Sequence, residues 1–303
     1  MELVDKLSNR QYIDGEWVES SNKNTRDIIN PYNQETIFTV AEGTKEDVER
    51  AILAARRSFE DGEWSLETSE VRGKKVRAVA DKIKENREEL AKLETLDTGK
   101  TLEESYADMD DIHNVFMYFA GLADKDGGEM INSPIPNTES KIVKEPVGVV
   151  TQITPWNYPL LQASWKIAPA LATGCSLVMK PSEITPLTTI RVFELMEEVG
   201  FPKGTINLVL GAGSEVGDVM SGHEEVDLVS FTGGIETGKH IMKQAANHVT
   251  DVALELGGKN PNIIFDDADF ELAVDQALNG GYFHAGQVCS AGSRILVHND
   301  IKD

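Results

Sequence analysis

The feature that most constrains this chain begins at Val147. From there, short apolar runs alternate with helix-spaced stretches: "VGVVTQI", a helix from about Leu160 to Ala172, "SLVMK", a helix from about Pro186 to Val199, "INLVL", a helix from Ser214, "VDLVSFTGG", a helix from about Ile235 to Ala246, then "VALELGG" and "NIIF". Strands that are apolar throughout and alternate with helices predict βαβ units, hence a parallel sheet covered on both faces. Ligands of such sheets sit beyond the carboxyl ends of the strands, so the chemistry is sought there.

Upstream the pattern differs. "QYIDGEWVES" alternates around Asp14-Gly15, a hairpin signal, and "IINPYNQETIFTVAEG" reads as strand, turn, strand. Thr44 opens a helix that ends near Gly62; one long helix is expected from about Ser69 to Thr98, and another from about Leu102 to Ala123. "DKDGGEMINSPIPNTES" is polar and rich in Gly and Pro, and is read as a loop or a crossing between domains.

Charge and cysteine usage narrow the function. Asp and Glu outnumber Lys and Arg by 51 to 29, a net charge of −22, which argues against nucleic acid or an anionic membrane as partner. No run approaches the ~18 apolar residues of a membrane span, and "MELVDKLSNRQYIDGEW" has no signal-peptide pattern. Two cysteines in 303 residues make no disulfide framework, so the expected location is the cytoplasm, with reduced thiols.

The strand ends carry the candidates. "GAGSEVG" (Gly211, Gly213, Gly217) follows a strand and opens a helix, one residue longer than the dinucleotide fingerprint; a tight structural turn explains it equally well. "SFTGGIETG" repeats the arrangement one unit later, and two such turns suit an extended diphosphate better than one. In "MKPSE", Lys180 can bind an anion or hydroxyl. Glu183 can accept from a ribose diol while repelling a 2′-phosphate, which favours NAD over NADP. Glu255, in "ELGGKNP", is a candidate general base if burial raises its pKa, and Asn157, held between prolines in "TPWNYP", a candidate oxyanion donor. Taken singly, Lys180 and Glu183 are equally well a solvated pair, and Glu255 and Asn157 are better read as a surface carboxylate and a turn residue.

Cys289, in "FHAGQVCSAG", has no zinc-spaced partners; His284 lies five residues before it and the other histidines are scattered. Cys175 reads as a small buried residue. Cys289 is therefore core filler or a nucleophile, and the polar, glycine-flanked setting favours the second; placement at a helix N-terminus would raise its thiolate fraction.

"TPWNYP", "KPSE", "FTGG", "ELGGK" and "GQVCSAGSR", in this order, together with "INP", "LDTGK" and "WKIAPALATG", resemble the NAD(P)-dependent aldehyde dehydrogenases over essentially the whole chain, with the betaine aldehyde dehydrogenase branch the most similar. The resemblance implies an α/β fold: a Rossmann-like NAD-binding domain (residues 1–123 and 147–258), a bridging and oligomerisation segment (124–146), and the start of a second α/β catalytic domain (259–303). It implies that Cys289 attacks the aldehyde. Asn157 and the Cys289 backbone N–H hold the oxyanion, hydride passes to NAD, and Glu255 activates water for thioester hydrolysis. Lys166 would serve a proton relay. Lys180 and Glu183 would hold the adenosine ribose. Ile153, Thr154, Pro155, Trp156, Ser182, Gly213, Gly217, Phe231, Thr232, Gly233, Gly234, Thr237, Leu256 and Gly257 would complete the cofactor surface.

Tyr158, Trp165 and Phe283 match positions lining the aldehyde channel, suited to a quaternary ammonium. Ile28 and Asp97 match a monovalent-cation site, K+ or Na+. Relatives are homo-oligomers and longer: a later glutamate–phenylalanine motif, the rest of the substrate tunnel and a subunit-joining strand are not among these residues. The expectation is thus a C-terminally truncated catalytic domain with exposed apolar strands at "NIIF" and "RILV". A cysteine hydrolase using Cys289 and His284, and an inactive nucleotide-binding or assembly fragment, are the competing readings.

Overall fold

The computed structural model describes residues 3–125 and 127–302. Its elements are β1 (Gln11–Ile13), β2 (Glu16–Val18), β3 (Thr25–Ile29), β4 (Thr36–Ala41), α1 (Lys45–Asp61), α2 (Ser69–Glu85), α3 (Arg87–Thr98), α4 (Leu102–Leu122), β5 (Glu129–Asn132), β6 (Glu139–Ile142), β7 (Val149–Ile153), α5 (Pro159–Thr173), β8 (Ser176–Lys180), α6 (Leu187–Val199), β9 (Ile206–Leu208), α7 (Gly213–Gly222), β10 (Leu228–Gly233), α8 (Ile235–Ala245), β11 (Asp251–Leu256), β12 (Pro261–Ile264), α9 (Phe270–Tyr282) and β13 (Arg294–Val297).

A seven-stranded sheet runs β11-β10-β7-β8-β9-β1-β2. The first five strands are parallel, and β1 joins β9 antiparallel through Tyr12 opposite Leu208. Side chains alternate across the central strands and feed two cores. Val149, Ile153, Val178 and Val209 face α1, α7 and α8, where Val48, Ile52, Met220 and Ile241 pack. Val150, Leu177, Met179 and Leu208 face α5 and α6, backed by α2, α3 and α4 through Ile167, Phe193, Val79 and Phe116. Every residue of β7, β8 and β9 is buried, as strands covered on both faces must be.

Local chemistry explains several boundaries. Asp14 (φ 55°) and Gly15 (φ 80°) form the two-residue turn that joins β1 to β2. Thr44 and Asp47 form a reciprocal capping box at the start of α1, and Gly62 closes it in the left-handed region.

Two expectations are corrected. The single helix from Ser69 to Thr98 is two helices, broken at Asn86. The Asn86 amide donates to Lys82 O (2.8 Å), competing with the helical ladder, and its carbonyl oxygen accepts from Arg191 on α6 (3.4 Å). The segment read as a loop after Ala123 contains an antiparallel ribbon, β5 with β6, in register Glu129 opposite Ile142; Met130 and Ile131 on it are exposed. β12 and β13 pair in parallel apart from the main sheet, with Ile263, Ile295, Leu296 and Val297 exposed as expected.

Candidate functional site

Two adjoining cavities lie beyond the carboxyl ends of β7, β8 and β10. The first, about 770 Å³, is lined by Ile153, Thr154, Pro155 and Trp156 after β7, by Lys180, Ser182 and Glu183 after β8, by Gly213 and Gly217 on α7, by Phe231 to Gly234 at the end of β10, and by Thr237 on α8. Every predicted cofactor residue lines it except Leu256 and Gly257, which line the second cavity of about 880 Å³. The two share Pro155, Trp156, Thr232, Gly233, Gly234, Glu236 and Thr237.

The first cavity fits a dinucleotide diphosphate. The helices α7 and α8 both start there with no N-cap side chain bonded to their first turn. A Cβ at Gly213, Gly217 or Gly234 would meet nothing within 4 Å, so no neighbouring side chain fills the approach to these backbones. The Thr154 hydroxyl, buried at this wall, has no partner.

The Lys180 ammonium is buried, donating to Pro181 O (2.9 Å) and Glu183 Oε2 (3.2 Å). Burial pulls its pKa down while Glu183 opposes the fall. For Glu183, burial acts upward, but the Lys180 charge, hydrogen bonds and Arg26 outweigh it, so the carboxyl sits below its ordinary value and is ionised. Arg26 in turn grips Glu42 through two bonds (2.5 and 2.7 Å), and Glu42 accepts from Ala212 N (3.0 Å) at the start of α7. Sequence reasoning missed Arg26 and Glu42, because nothing local marks a pair that acts from β3 and β4 on a loop beyond residue 210.

The second cavity gathers Asn157, Trp165, Glu255 and Cys289, residues from three separate parts of the chain. Asn157 Nδ2 donates to Gln287 O (2.7 Å), tying the β7–α5 turn to the loop two residues before Cys289. Asn260 Nδ2 donates to Cys289 O (2.9 Å). Cys289 is exposed and Cys175 buried, both as free thiols. Cys289 lies in a turn before β13, not at a helix start. Glu255 is exposed on the edge strand β11, where the sequence reading called for burial. Lys166 is buried and donates to Ser230 Oγ (3.1 Å). Burial lowers its pKa to about 8 against the pull of Glu255.

Of the three aromatics, only Trp165 lines the cavity. Phe283 is exposed, and Tyr158 packs edge-on to His284 (5.0 Å) with the Lys100 ammonium 4.2 Å above its ring. That ring already holds a cation of the chain itself. Burial raises the Tyr158 pKa, and Cys289 is close enough to add to the rise.

Ile28 and Asp97 are both buried, away from the two cavities. Asp97 accepts from Leu187 N (2.8 Å) through one oxygen, and its other oxygen is buried without a partner, as a ligand awaiting a cation would be. Gly99, two residues on, packs against Pro31, bringing this end of α3 beside the β3–β4 turn. Among the described residues, the one group of His, Cys, Asp and Glu with metal-ligand spacing is the exposed set Asp266, His298 and Asp300.

The competing hydrolase reading makes His284 the base for Cys289. Its Nε2 instead meets Asn157 O (2.8 Å), which leaves the cysteine-hydrolase reading without its base.

Residues 17–303 match the sequence model of the Aldehyde dehydrogenase family. The chain is 66% identical over 297 residues to the betaine aldehyde dehydrogenase of Bacillus subtilis (strain 168), covering 98% of this chain and 61% of that protein. It is 46% identical over 303 residues to the peroxisomal aminoaldehyde dehydrogenase 1 of Pisum sativum, covering 97% of this chain and 60% of that one. A crystal structure of the Staphylococcus aureus betaine aldehyde dehydrogenase in complex with NAD+ superposes with a TM-score of 0.99 at 91% identity, covering all of this chain and 60% of that chain. The chain thus spans about 60% of the length of the curated relatives it matches. It belongs to the aldehyde dehydrogenase family.

Proposed function

We propose that this chain carries the NAD site and the reactive thiol of an NAD-dependent aldehyde dehydrogenase that converts betaine aldehyde to glycine betaine. The observation that carries the reading is the meeting of Cys289, Asn157 and Glu255 in one cavity continuous with the cleft at α7 and α8. The crystal structure named above contains NAD+, which supports that cofactor here.

In this mechanism the Cys289 thiolate attacks the aldehyde carbon. An amide nitrogen has two hydrogens; Asn157 spends one on Gln287 O, and the other is available to the oxyanion. Such a donor is worth about 3 kcal/mol in the transition state. NAD, when bound, accepts the hydride that oxidises the adduct to a thioester. Glu255 then takes a proton from the water that cleaves the Cys289 thioester, releasing the acid and the thiol. The carboxylate on this edge strand argues for water as acceptor. Lys166, partly neutral near pH 8, is suited to pass that proton onward. Lys180 and Glu183 hold the adenosine ribose, and the ionised Glu183 disfavours a 2′-phosphate.

Residues 1–123 and 147–258 form the NAD-binding unit, 124–146 the bridging and oligomerisation segment, and 259–303 belong to the catalytic domain. The orphan oxygen of Asp97 supports K+ or Na+ at Ile28 and Asp97. Among the described residues no helix is long and apolar enough to cross a membrane. With a net charge of −22, the proposed partner is the small aldehyde, in the cytoplasm.

The high identity to betaine aldehyde dehydrogenases and the half-exposed face of Trp165 support the substrate. An amino aldehyde is the second reading, favoured by the single aromatic at the cavity where three were expected. The test is NADH formation by this chain with NAD and betaine aldehyde beside an amino aldehyde and a simple aliphatic aldehyde. Preference for betaine aldehyde is expected; preference for the amino aldehyde would replace the substrate, and NAD binding without turnover of any of them would reduce the chain to its nucleotide-binding role.

A further inference from the structure

His284 occupies a place that the mechanism does not use. It is the second residue of a tight turn, Phe283–Gly286, with φ 48° and ψ 45°, and Ala285 follows with φ 54° and ψ 28°. Two consecutive left-handed residues with side chains persist only where the surroundings hold them. Three contacts do so, one to α4 and two to the turn between β7 and α5. The His284 backbone N–H donates to Glu104 Oε1 (3.0 Å) in the first turn of α4. The ring packs on Tyr158 at the start of α5. Nε2 lies 2.8 Å from the carbonyl oxygen of Asn157. A carbonyl only accepts, so Nε2 carries the proton. Burial, with Lys100 nearby, lowers the imidazole pKa and keeps it neutral. Asn157 is therefore held from both sides, its backbone by His284 and its side chain by Gln287, and both holders belong to the loop that leads to Cys289.

We propose that His284 is a positioning residue that locks the Asn157 amide to the Cys289 loop and so sets the oxyanion donor relative to the nucleophile. This rests on the reading of Asn157 as the oxyanion donor.

Two thiol reactions separate this role from a general one, and neither needs NAD or an aldehyde. With p-nitrophenyl acetate, the thiolate forms a bond to the acyl carbon through an oxyanion, the bond to the aryl oxygen breaks and p-nitrophenolate leaves. With iodoacetamide, sulfur displaces iodide and no oxyanion forms. Both are read at Cys289 by peptide mass, with buried Cys175 as internal reference. His284→Phe keeps the ring and removes the donor. It is expected to slow acylation at least tenfold and leave alkylation unchanged, since a small misplacement of a catalytic group has effects of that size. His284→Gln, which can still donate, should recover most of the rate. His284→Asn tolerates the left-handed backbone but is too short to reach Asn157, and should behave as His284→Phe if the Phe ring does not fit. His284→Phe added to Asn157→Ala should cost nothing further.

Equal acylation in His284→Phe and wild type, or an equal fall of both reactions, would overturn the proposal. A wild-type Cys289 that alkylates but does not acylate would remove the oxyanion reading itself, and the proposal with it.

Discussion

The strands that build the cofactor cleft and the strands that carry the chemistry are made differently. In β7, β8 and β9 every residue is buried, and two cores press on them from opposite faces. β11 alternates between exposed and half-buried residues, and β13 is exposed along its length. The residues after Leu256 that approach the proposed nucleophile are tied to the rest by individual hydrogen bonds: Asn157 to Gln287, His284 to Asn157 and to Glu104. A packed sheet supplies the platform for binding, and a few polar ties supply the geometry for reaction. Stability and chemistry should therefore respond to different mutations.

The largest effect is expected in the packed half. Phe193→Ala, on α6 with a side chain fully buried between α5 and β1, should cost about 3–5 kcal/mol by denaturant unfolding. Ile295→Ala, half exposed on β13, should cost within about 0.5 kcal/mol. Similar costs at both positions would erase the contrast. Next in size, Glu183→Gln should raise relative affinity for NADP about tenfold or more by removing an ionised carboxylate; an unchanged NAD/NADP ratio in titration would take Glu183 out of the ribose site.

The smallest concerns Lys166. Its folded pKa, about 8, lies below its ordinary 10.5, so between those values the unfolded chain binds the extra proton and stability rises with pH. Below about pH 8 both states are charged and the penalty of the buried ammonium is fully present. Lys166→Met should flatten that rise in unfolding curves between pH 7 and 10; a parallel pair of curves would place the perturbation elsewhere.

What the residues disclosed in advance follows the same division. The Asp14-Gly15 turn and the Thr44 cap are local patterns that the structure forms, and the strand-end motifs line the two cavities. Asn86 looked like a helix residue because the competitor for its backbone is its own side chain, fixed by Arg191 from α6. The β5–β6 ribbon was hidden by its Gly and Pro content. Burial was the least legible quantity: Glu255 is exposed where burial was needed, and neither Tyr158 nor Phe283 lines the cavity. Arg26, Glu42 and His284 act only through residues far along the chain, and no spacing announces them.

The central claim is that Cys289 is the atom on which the aldehyde is oxidised, with the cofactor cleft and the cavity around it working as one site. The most direct measurement mixes Glu255→Gln protein with NAD and betaine aldehyde, follows NADH, and reads the mass of the Cys289 peptide after quenching. The account predicts one NADH per site and an equal amount of acyl adduct on Cys289, because oxidation proceeds and hydrolysis stalls. NADH formed without an adduct on Cys289, or an NADH yield that survives Cys289→Ala, would contradict it.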